Sequence, residues 1–414
     1  MLSSQPVPFF RPYLGEEEIQ EAISTLKSGW LTTGPRTAQF EKEFAQAVGA
    51  RHAIALNSCT AALHLGVEAL GLERGQAVLV PTMTFAATAE VVRYQGATPI
   101  LVDCDPVTLN IDLEDIERKV SLIEDRLNRE STDSLRLVGI MPVHVGGFMA
   151  DIDVLKTFAA RNSLWIVEDA AHAFPAAWRT GEAAGWQRCG EDTANISCFS
   201  FYANKTITTG EGGMAVTDDP ELAARMRLMS LHGLSKDAWS RYSGGSSWDY
   251  KIIAPGYKYN MTDIAAAIGI HQLARAEEMR LGREKIALRY IEALTSVDEI
   301  DLPPTDVNRI HSWHLFPIRL RLEKLRIDRN AFMDQLKARG VGCSVHWRPL
   351  HLHPYYQEIF GWKPEHCPVA TKVWERLISL PIFSDMHDEE IDHVISVITE
   401  LCRENAGSLS ARRP

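Results

Sequence analysis

The sequence lacks several features that are typical of membrane, secreted or nucleic-acid-binding proteins. No apolar run approaches the roughly 20 residues that a membrane-spanning helix requires. The opening residues MLSSQPVPFFRPYLGEEE contain neither the basic start nor the long apolar stretch of a signal peptide. Basic residues are fewer than acidic ones, 43 against 54, and they form no cluster that would bind a nucleic acid. We therefore expect a cytoplasmic protein without a membrane or nucleic-acid partner.

Cysteine is scarce and has no metal-binding pattern. The seven cysteines are odd in number and include no Cys-x-x-Cys pair. This pattern predicts neither a disulfide framework nor a structural zinc site, and it fits a reducing compartment. Histidine is densest in HWRPLHLH, where no carboxylate or thiol lies at a ligand spacing, so no metal site is predicted.

Strand-like and helical patterns alternate through the first half of the chain. The strand-like runs are 53–57, 77–80, 99–103, 135–140, 164–168, 196–202 and 213–217. The helical patterns are 16–27, 36–48, 58–70, 84–95, 112–119, 151–161 and 219–230. This alternation predicts an α/β layer with a mostly parallel sheet. The charged segment 120–136 is interpreted as an amphipathic extension or surface loop, and 174–195 as a loop or hairpin.

The length of 414 residues allows two or three domains. We predict a large domain over 12–255, preceded by a joining segment 1–11, and a smaller C-terminal α/β domain over 256–414. The glycine- and serine-rich stretch 240–249 is predicted to be mobile. Further predicted elements are helices at 271–296, 329–339 and 388–402 and strands at 313–320 and 342–347.

A single lysine follows one of these strands and carries the first sign of chemistry. Lys205 leaves the apolar run 196–202 and enters a turn that ends in Gly-Glu-Gly-Gly. Burial lowers the pKa of an ammonium group, and a neutral lysine amine can form a Schiff base with a carbonyl. Alone, such a lysine is more often a solvated surface residue. However, Asp169 ends another strand, and Ser58-Cys59-Thr60 open a helix whose N-terminus would bind an anion. Together these are the parts that a pyridoxal phosphate site needs.

These parts lie in motifs that resemble the DegT-type nucleotide-sugar aminotransferases, which have the fold type I of pyridoxal-phosphate enzymes. The motifs are WLTTGP, NSCTAALH, PTMTFAAT, GATPILVDCD, PVHVGG, VEDAAHA, FSFYANKTITTGEGG and PGYKYNMTDIAAAI. They occur in family order and cover most of the chain. The resemblance implies a large domain with a mostly parallel seven-stranded sheet and a smaller C-terminal α/β domain.

The resemblance also assigns residues to a shared site. The residues that it places around pyridoxal 5′-phosphate are Ser58, Cys59, Thr60, Phe85, Asp169, His172, Ser200, Lys205 and Asn260. In the family the first three and Ser200 hold the phosphate, with Cys59 where glycine or alanine is common. Phe85 stacks on the ring, Asp169 pairs with the ring nitrogen and His172 approaches the ring hydroxyl.

Lys205 binds the cofactor covalently and moves the proton, which is the catalytic role in the family. Asn260 is implied to reach the phosphate from the other subunit of a homodimer, and Thr33, Lys258 and His346 lie on the substrate side. Ordinary structural roles remain open: Ser58 and Asn260 could cap helices, and Phe85 could be a core residue.

The function implied is transfer of an amino group, from L-glutamate, to a keto group of a UDP- or dTDP-linked 4-keto or 3-keto sugar. Two motifs, PGYKYNMTDI and HSWHLFPIRL, are most similar to the 4-amino-4-deoxy-L-arabinose branch. One alternative is a pyridoxal-phosphate enzyme that acts on a cyclitol, or a sugar dehydratase. Related sugar dehydratases, however, carry histidine at the position of Lys205. The other is a non-catalytic regulatory protein that retains the fold.

Overall fold

The computed structural model describes residues 6–129, 135–234 and 251–407. The helices are α1 (Glu16–Ser28), α2 (Pro35–Val48), α3 (Cys59–Ala69), α4 (Ala87–Tyr94), α5 (Leu113–Arg129), α6 (Ile152–Arg161), α7 (Pro220–Met229), α8 (Asp263–Ala274), α9 (Ala276–Leu294), α10 (Arg329–Ala338), α11 (Pro354–Phe360), α12 (Pro368–Trp374) and α13 (Asp388–Glu404). The strands are β1 (His52–Leu56), β2 (Gln76–Pro81), β3 (Thr98–Val102), β4 (Arg136–Ile140), β5 (Trp165–Asp169), β6 (Ala177–Trp178), β7 (Gln187–Arg188), β8 (Ile196–Ser200), β9 (Gly213–Thr217), β10 (Ile300–Asp301), β11 (Arg309–Ile310), β12 (Phe316–Leu320) and β13 (Leu377–Leu380).

A seven-stranded sheet forms the centre of the fold, with the order β1-β9-β8-β5-β4-β2-β3. The strands from β8 to β3 pair in parallel, and β9 runs antiparallel to both of its neighbours. Both faces are covered, because Leu79 of β2 lies in one buried cluster while Val78 and Val80 lie in another. The predicted mostly parallel sheet with seven strands is confirmed.

The C-terminal part builds a second, smaller layer. Strands β10, β12 and β13 form an antiparallel sheet, and side chains of α9, α10 and α13 pack on it around Tyr290, Phe332 and Leu401. Helix α8 instead shares the core of the large sheet through Ala266 and Ile270. The domain boundary between residues 255 and 256 stays a prediction.

Two predicted elements are wrong. The segment 342–347 is no strand, because its backbone pairs with two different partners: Gly342 N–H donates to Val7 (2.8 Å) and Ser344 pairs with Ser379. The helix predicted over 271–296 is two helices that break at Arg275. Its guanidinium forms an ion pair with Glu18 of α1, and no glycine or proline marks the break in the sequence.

The remaining segments fall as follows. Helix α5 continues through most of the charged segment, to Arg129. Strands β6 and β7 form a hairpin within 174–195, and β11 pairs with β6. The stretch 240–249 lies outside the described residues. Among the helices of the described part, none is long and apolar enough to cross a membrane.

Candidate active site

A cavity of about 570 Å³ opens where strands β5 and β8 end and helix α3 begins. Nine of the predicted site residues line it: Ser58, Cys59, Thr60, Phe85, Asp169, His172, Ser200, Lys205 and His346. Ligands of α/β proteins commonly bind at the carboxyl ends of parallel strands, where the turns converge. The cavity therefore lies where the sheet topology favours a ligand site.

The turn before α3 is shaped to receive an anion. Ser58 caps the helix, since its Oγ accepts the N–H of Ala61 at 3.1 Å, and the dipole of the helix favours negative charge at this end. A Cβ atom at Gly213 would lie 2.3 Å from the carbonyl carbon of Ser58, so glycine permits β9 to approach the turn closely. Burial raises the pKa of the Cys59 thiol well above its ordinary value. Cys59 is therefore a small neutral group in this turn.

Two other predicted residues border the turn. Ser200 ends β8, and its Oγ accepts the N–H of Tyr202 at 3.3 Å. Phe85 precedes α4, and the residue is 62% exposed at the cavity wall. An aromatic ring so exposed is not a core residue, which removes the core alternative for Phe85.

Asp169 ends β5 with its carboxylate buried. Thr88 Oγ1 donates to its Oδ2 at 2.7 Å, and the N–H of Ala171 donates to its Oδ1 at 3.1 Å. Burial raises the pKa of Asp169, while both hydrogen bonds and the charge of Lys205 act in the opposite direction. The carboxylate is held in a fixed orientation by donors on both oxygens.

Lys205 projects into the same cavity from the turn after β8. Its backbone N–H donates to the carbonyl of Tyr202 at 2.9 Å, which closes that turn. Burial and, to a smaller extent, the positive charge of Arg283 lower the pKa of the Lys205 amine to about 8, while the negative charge of Asp169 opposes the shift. A neutral, nucleophilic amine is therefore accessible close to neutral pH.

Aromatic rings from the C-terminal part face Lys205. His314 Nε2 lies 3.4 Å from Lys205 Nζ, and the ring centres of His314 and His172 are 4.2 Å apart. Trp347 stacks on His172 at 5.1 Å with an interplanar angle of 17°. Burial lowers the pKa values of His172 and His314 well below their ordinary value, and it lowers that of His346, which also lines the cavity, to about 4. These imidazoles are neutral at physiological pH.

The sequence motifs do not predict His314, Trp347 or Thr88 as site residues, although all three lie at or beside the cavity. His314 and Trp347 line it directly. Both fall in aromatic- and histidine-rich stretches, HSWHLF and VHWRP, and that composition is the signal that could have identified them. Thr88 carried no signal beyond its place in PTMTFAAT.

Thr33, Lys258 and Asn260 do not line the cavity within this chain. Instead they bond to one another: Asn260 Nδ2 donates to Thr33 Oγ1 and Lys258 Nζ donates to Asn260 Oδ1, both at 2.6 Å. The alternative role of Asn260 as a helix cap is wrong, because Thr262 caps α8. The cluster lies next to the anion-binding turn, since Tyr259 accepts the N–H of Asn57 at 2.7 Å.

A buried histidine, glutamate and cysteine lie together behind Asp169. They are His144, Glu168 and Cys189, with His144 Nε2 at 3.4 Å from Glu168 Oε1. His144 Nδ1 accepts the N–H of Ala150 at 3.1 Å, so the neutral imidazole carries its proton on Nε2. That proton occupies the position that a metal would need. Within the described part of the chain, neither His144 Nε2 nor Glu168 Oε1 has a hydrogen-bond partner, whereas Glu168 Oε2 accepts hydrogen bonds from Thr193 and Ser197.

The residues around the main cavity fit pyridoxal phosphate. The helix N-terminus and two serines can take the phosphate, an exposed phenyl ring can cover the pyridine and a buried carboxylate can face its nitrogen. A lysine with a lowered pKa lies within the same space. This fold and this site define a pyridoxal-phosphate-dependent transaminase. The chain belongs to the DegT/DnrJ/EryC1/StrS aminotransferase family, which matches residues 12–399.

Individual proteins of known sequence or structure agree with this class. The chain is 44% identical to the uncharacterized protein MJ1066 of Methanocaldococcus jannaschii over 98% of its length and 100% of the relative's. It is 42% identical to the spore coat polysaccharide biosynthesis protein SpsC of Bacillus subtilis, over 96% of this chain and 97% of SpsC. The candidate sugar aminotransferase Spr1654 of Streptococcus pneumoniae, in its PMP form, has a TM-score of 0.84 at 30% identity, covering 96% and 98% of the two chains. Its PLP form is also known, which supports both the fold type I assignment and the cofactor.

Proposed function

We propose that this transaminase moves an amino group from L-glutamate to a keto group of a sugar carried on a nucleoside diphosphate. The observation that carries the proposal is the half-buried Lys205, whose pKa is lowered to about 8, in the same cavity as the fixed carboxylate of Asp169. The names of SpsC, a polysaccharide biosynthesis protein, and of Spr1654, a candidate sugar aminotransferase, support a sugar as the acceptor.

Each side chain of the cavity has a proposed task. Ser58, Thr60 and Ser200, with the backbone N–H groups that open α3, hold the phosphate. Asp169 keeps the ring nitrogen protonated, and Phe85 covers the ring face. When bound, pyridoxal phosphate accepts the amino group of one substrate and passes it to the next.

Lys205 performs the covalent step and the proton transfer. Its neutral Nζ would hold the cofactor covalently and, once an amine substrate had taken that place, would be free to accept the proton from the reacting substrate carbon. His172 and His314 stay neutral beside it, so neither adds positive charge that would compete with the protonated Nζ.

The site is proposed to be completed by a second copy of this chain. Asn260 lies beside the anion-binding turn but does not line the cavity of its own subunit, and Phe85 is strongly exposed. Both observations support a homodimer in which the partner contributes to the phosphate end.

Mixing two inactive variants tests the shared site. Lys205→Ala and Asn260→Ala proteins, unfolded and refolded together, should regain about a quarter of wild-type activity, because one in four sites would combine both intact residues if pairing is random. Each variant refolded alone is the control. No recovery, with a dimer seen by sedimentation, would show that each cavity uses its own residues alone.

The amino transfer itself is tested in two half-reactions. L-glutamate should convert the absorbance band of the purified protein to that of the pyridoxamine phosphate form, and the isolated form should then aminate a keto sugar. UDP-linked 4-keto pentose is the first acceptor to try, followed by UDP- and dTDP-linked 4-keto and 3-keto hexoses and a keto cyclitol. If glutamate converts the cofactor band and the protein then aminates the keto cyclitol but no keto sugar, the proposed sugar acceptor is rejected and the transaminase activity is retained.

A further inference from the structure

Three buried threonines lie between the end of β2 and the first turn of α4, within the motif PTMTFAAT. Thr82, Thr84 and Thr88 are each at most 1% exposed. A buried hydroxyl is costly unless it has a hydrogen-bond partner, so the partners of these three indicate what the motif does. Two of them point to Asp169 and one does not.

Thr84 and Thr88 form a chain of hydroxyl groups that ends on the carboxylate. Thr88 Oγ1 lies 2.7 Å from Asp169 Oδ2, and Thr84 Oγ1 lies 2.7 Å from Thr88 Oγ1. An ionised carboxylate only accepts, so the single proton of Thr88 is directed to Asp169. Thr84 must then donate to Thr88, and the chain has one direction. The carbonyl of Phe85, at 3.3 Å from Thr88 Oγ1, is the more distant acceptor.

Thr82 provides an internal comparison. Its hydroxyl is 2.7 Å from His351 Nδ1 and accepts the N–H of His351 at 3.3 Å. It is as deeply buried as Thr88 and lies in the same motif, yet it has no hydrogen bond to Asp169. The burial of a threonine in this motif and its contact with the carboxylate can therefore be separated by mutation.

We propose that Thr88, assisted by Thr84, is a positioning residue that keeps Asp169 ionised and aimed at the cofactor ring nitrogen. A hydrogen bond to the charged form of an acid favours that form. Asp169 needs this support because burial favours its protonated form, which could not hold a proton on the ring nitrogen. The remaining support comes from the N–H of Ala171 and from the positive charge of Lys205.

The inference rests on the proposed pairing of Asp169 with the ring nitrogen and does not depend on which substrate is aminated. Its test is the binding of pyridoxal phosphate by the full-length protein after removal of the cofactor, measured by equilibrium dialysis. The second readout is the ¹⁵N chemical shift of ring-labelled cofactor, which reports the protonation of the ring nitrogen. Neither readout is turnover.

Thr88→Val keeps the shape of the side chain and removes the hydroxyl. We expect a roughly tenfold larger dissociation constant and a ring nitrogen that loses its proton at lower pH, because one hydrogen bond to a charged group is lost. Thr84→Val should give a smaller change in the same direction. Thr88→Ser, which restores the hydroxyl, should return both readouts towards wild type.

Thr82→Val is the matched control, and Asp169→Asn is the reference. Thr82→Val should lower the melting temperature without changing the dissociation constant or the ring-nitrogen shift. If Asp169→Asn changes the ring nitrogen and Thr88→Val behaves like Thr82→Val, the role of Thr88 is rejected. If Asp169→Asn leaves the ring nitrogen unchanged, the pairing of Asp169 with the ring fails, and the role of Thr88 fails with it.

Discussion

The two walls of the cavity are built in different ways. On the wall formed by the large sheet, Asp169 ends β5, Lys205 follows β8 and Ser58 caps α3, so each residue is fixed by a regular element. On the opposite wall, His314 and His346 come from segments that are neither helix nor strand. The covalent and charged steps therefore depend on the first wall, where strand and helix ends fix the reacting groups. The second wall contributes uncharged rings. We expect losses in activity to follow this division.

The largest effect is expected for Lys205→Ala on the sheet wall. Loss of both the nucleophile and the proton carrier should reduce amino transfer from glutamate by about a thousandfold or more, while the protein folds normally by circular dichroism. The measurement is the single-turnover spectral change on adding L-glutamate. Lys205→Arg is the matched control for charge and should be equally inactive. Turnover close to wild type in either variant would refute the role of this lysine.

Asp169→Asn should come next. It removes the negative charge while keeping the size of the side chain, and a lost charged interaction of about 3 kcal/mol corresponds to about a hundredfold in rate. The measurement is kcat with glutamate at saturating pyridoxal phosphate, which separates slower chemistry from weaker cofactor binding. Glu168→Gln tests the neighbouring buried carboxylate on the other side of β5. Equal losses of kcat in both variants would mean that the effect is a general one of buried charge.

The lowered pKa of Lys205 also predicts how the rate of covalent cofactor binding depends on pH. Its pKa is lowered to about 8, so the neutral amine fraction rises with pH and levels off above about 8. The rate at which cofactor-free protein binds pyridoxal phosphate covalently should rise about tenfold per pH unit below that value, as followed by stopped-flow absorbance. A free lysine derivative, with the ordinary value near 10.5, should still be rising at pH 9. A midpoint near 10 in the protein would contradict the burial of this amine.

The same division explains what the sequence could predict. Lys205 and Asp169 follow strands that the pattern identified, and β5 and β8 are neighbours in parallel, so their meeting follows from the topology. His314 reaches Lys205 across 109 positions from an irregular segment, and local periodicity carries no information on such a contact. Helix α4 begins at Ala87 and not at 84, which places Thr88 in its first turn, facing β5.

The smallest losses are expected on the wall of neutral rings. His314→Gln keeps a polar group near Lys205 but removes the imidazole. The hydrogen bond that is lost, between Lys205 Nζ and His314 Nε2, is long at 3.4 Å, and the imidazole in it is neutral. A net contribution of about 1 kcal/mol corresponds to a loss of roughly fivefold in kcat with glutamate. His311→Gln, a buried histidine three residues earlier and outside the cavity lining, controls for lost packing and should lower the melting temperature without changing kcat. A hundredfold loss in His314→Gln alone would place this histidine with Asp169 in importance. The second wall would then take part in proton transfer, and the two walls would no longer differ in the way proposed.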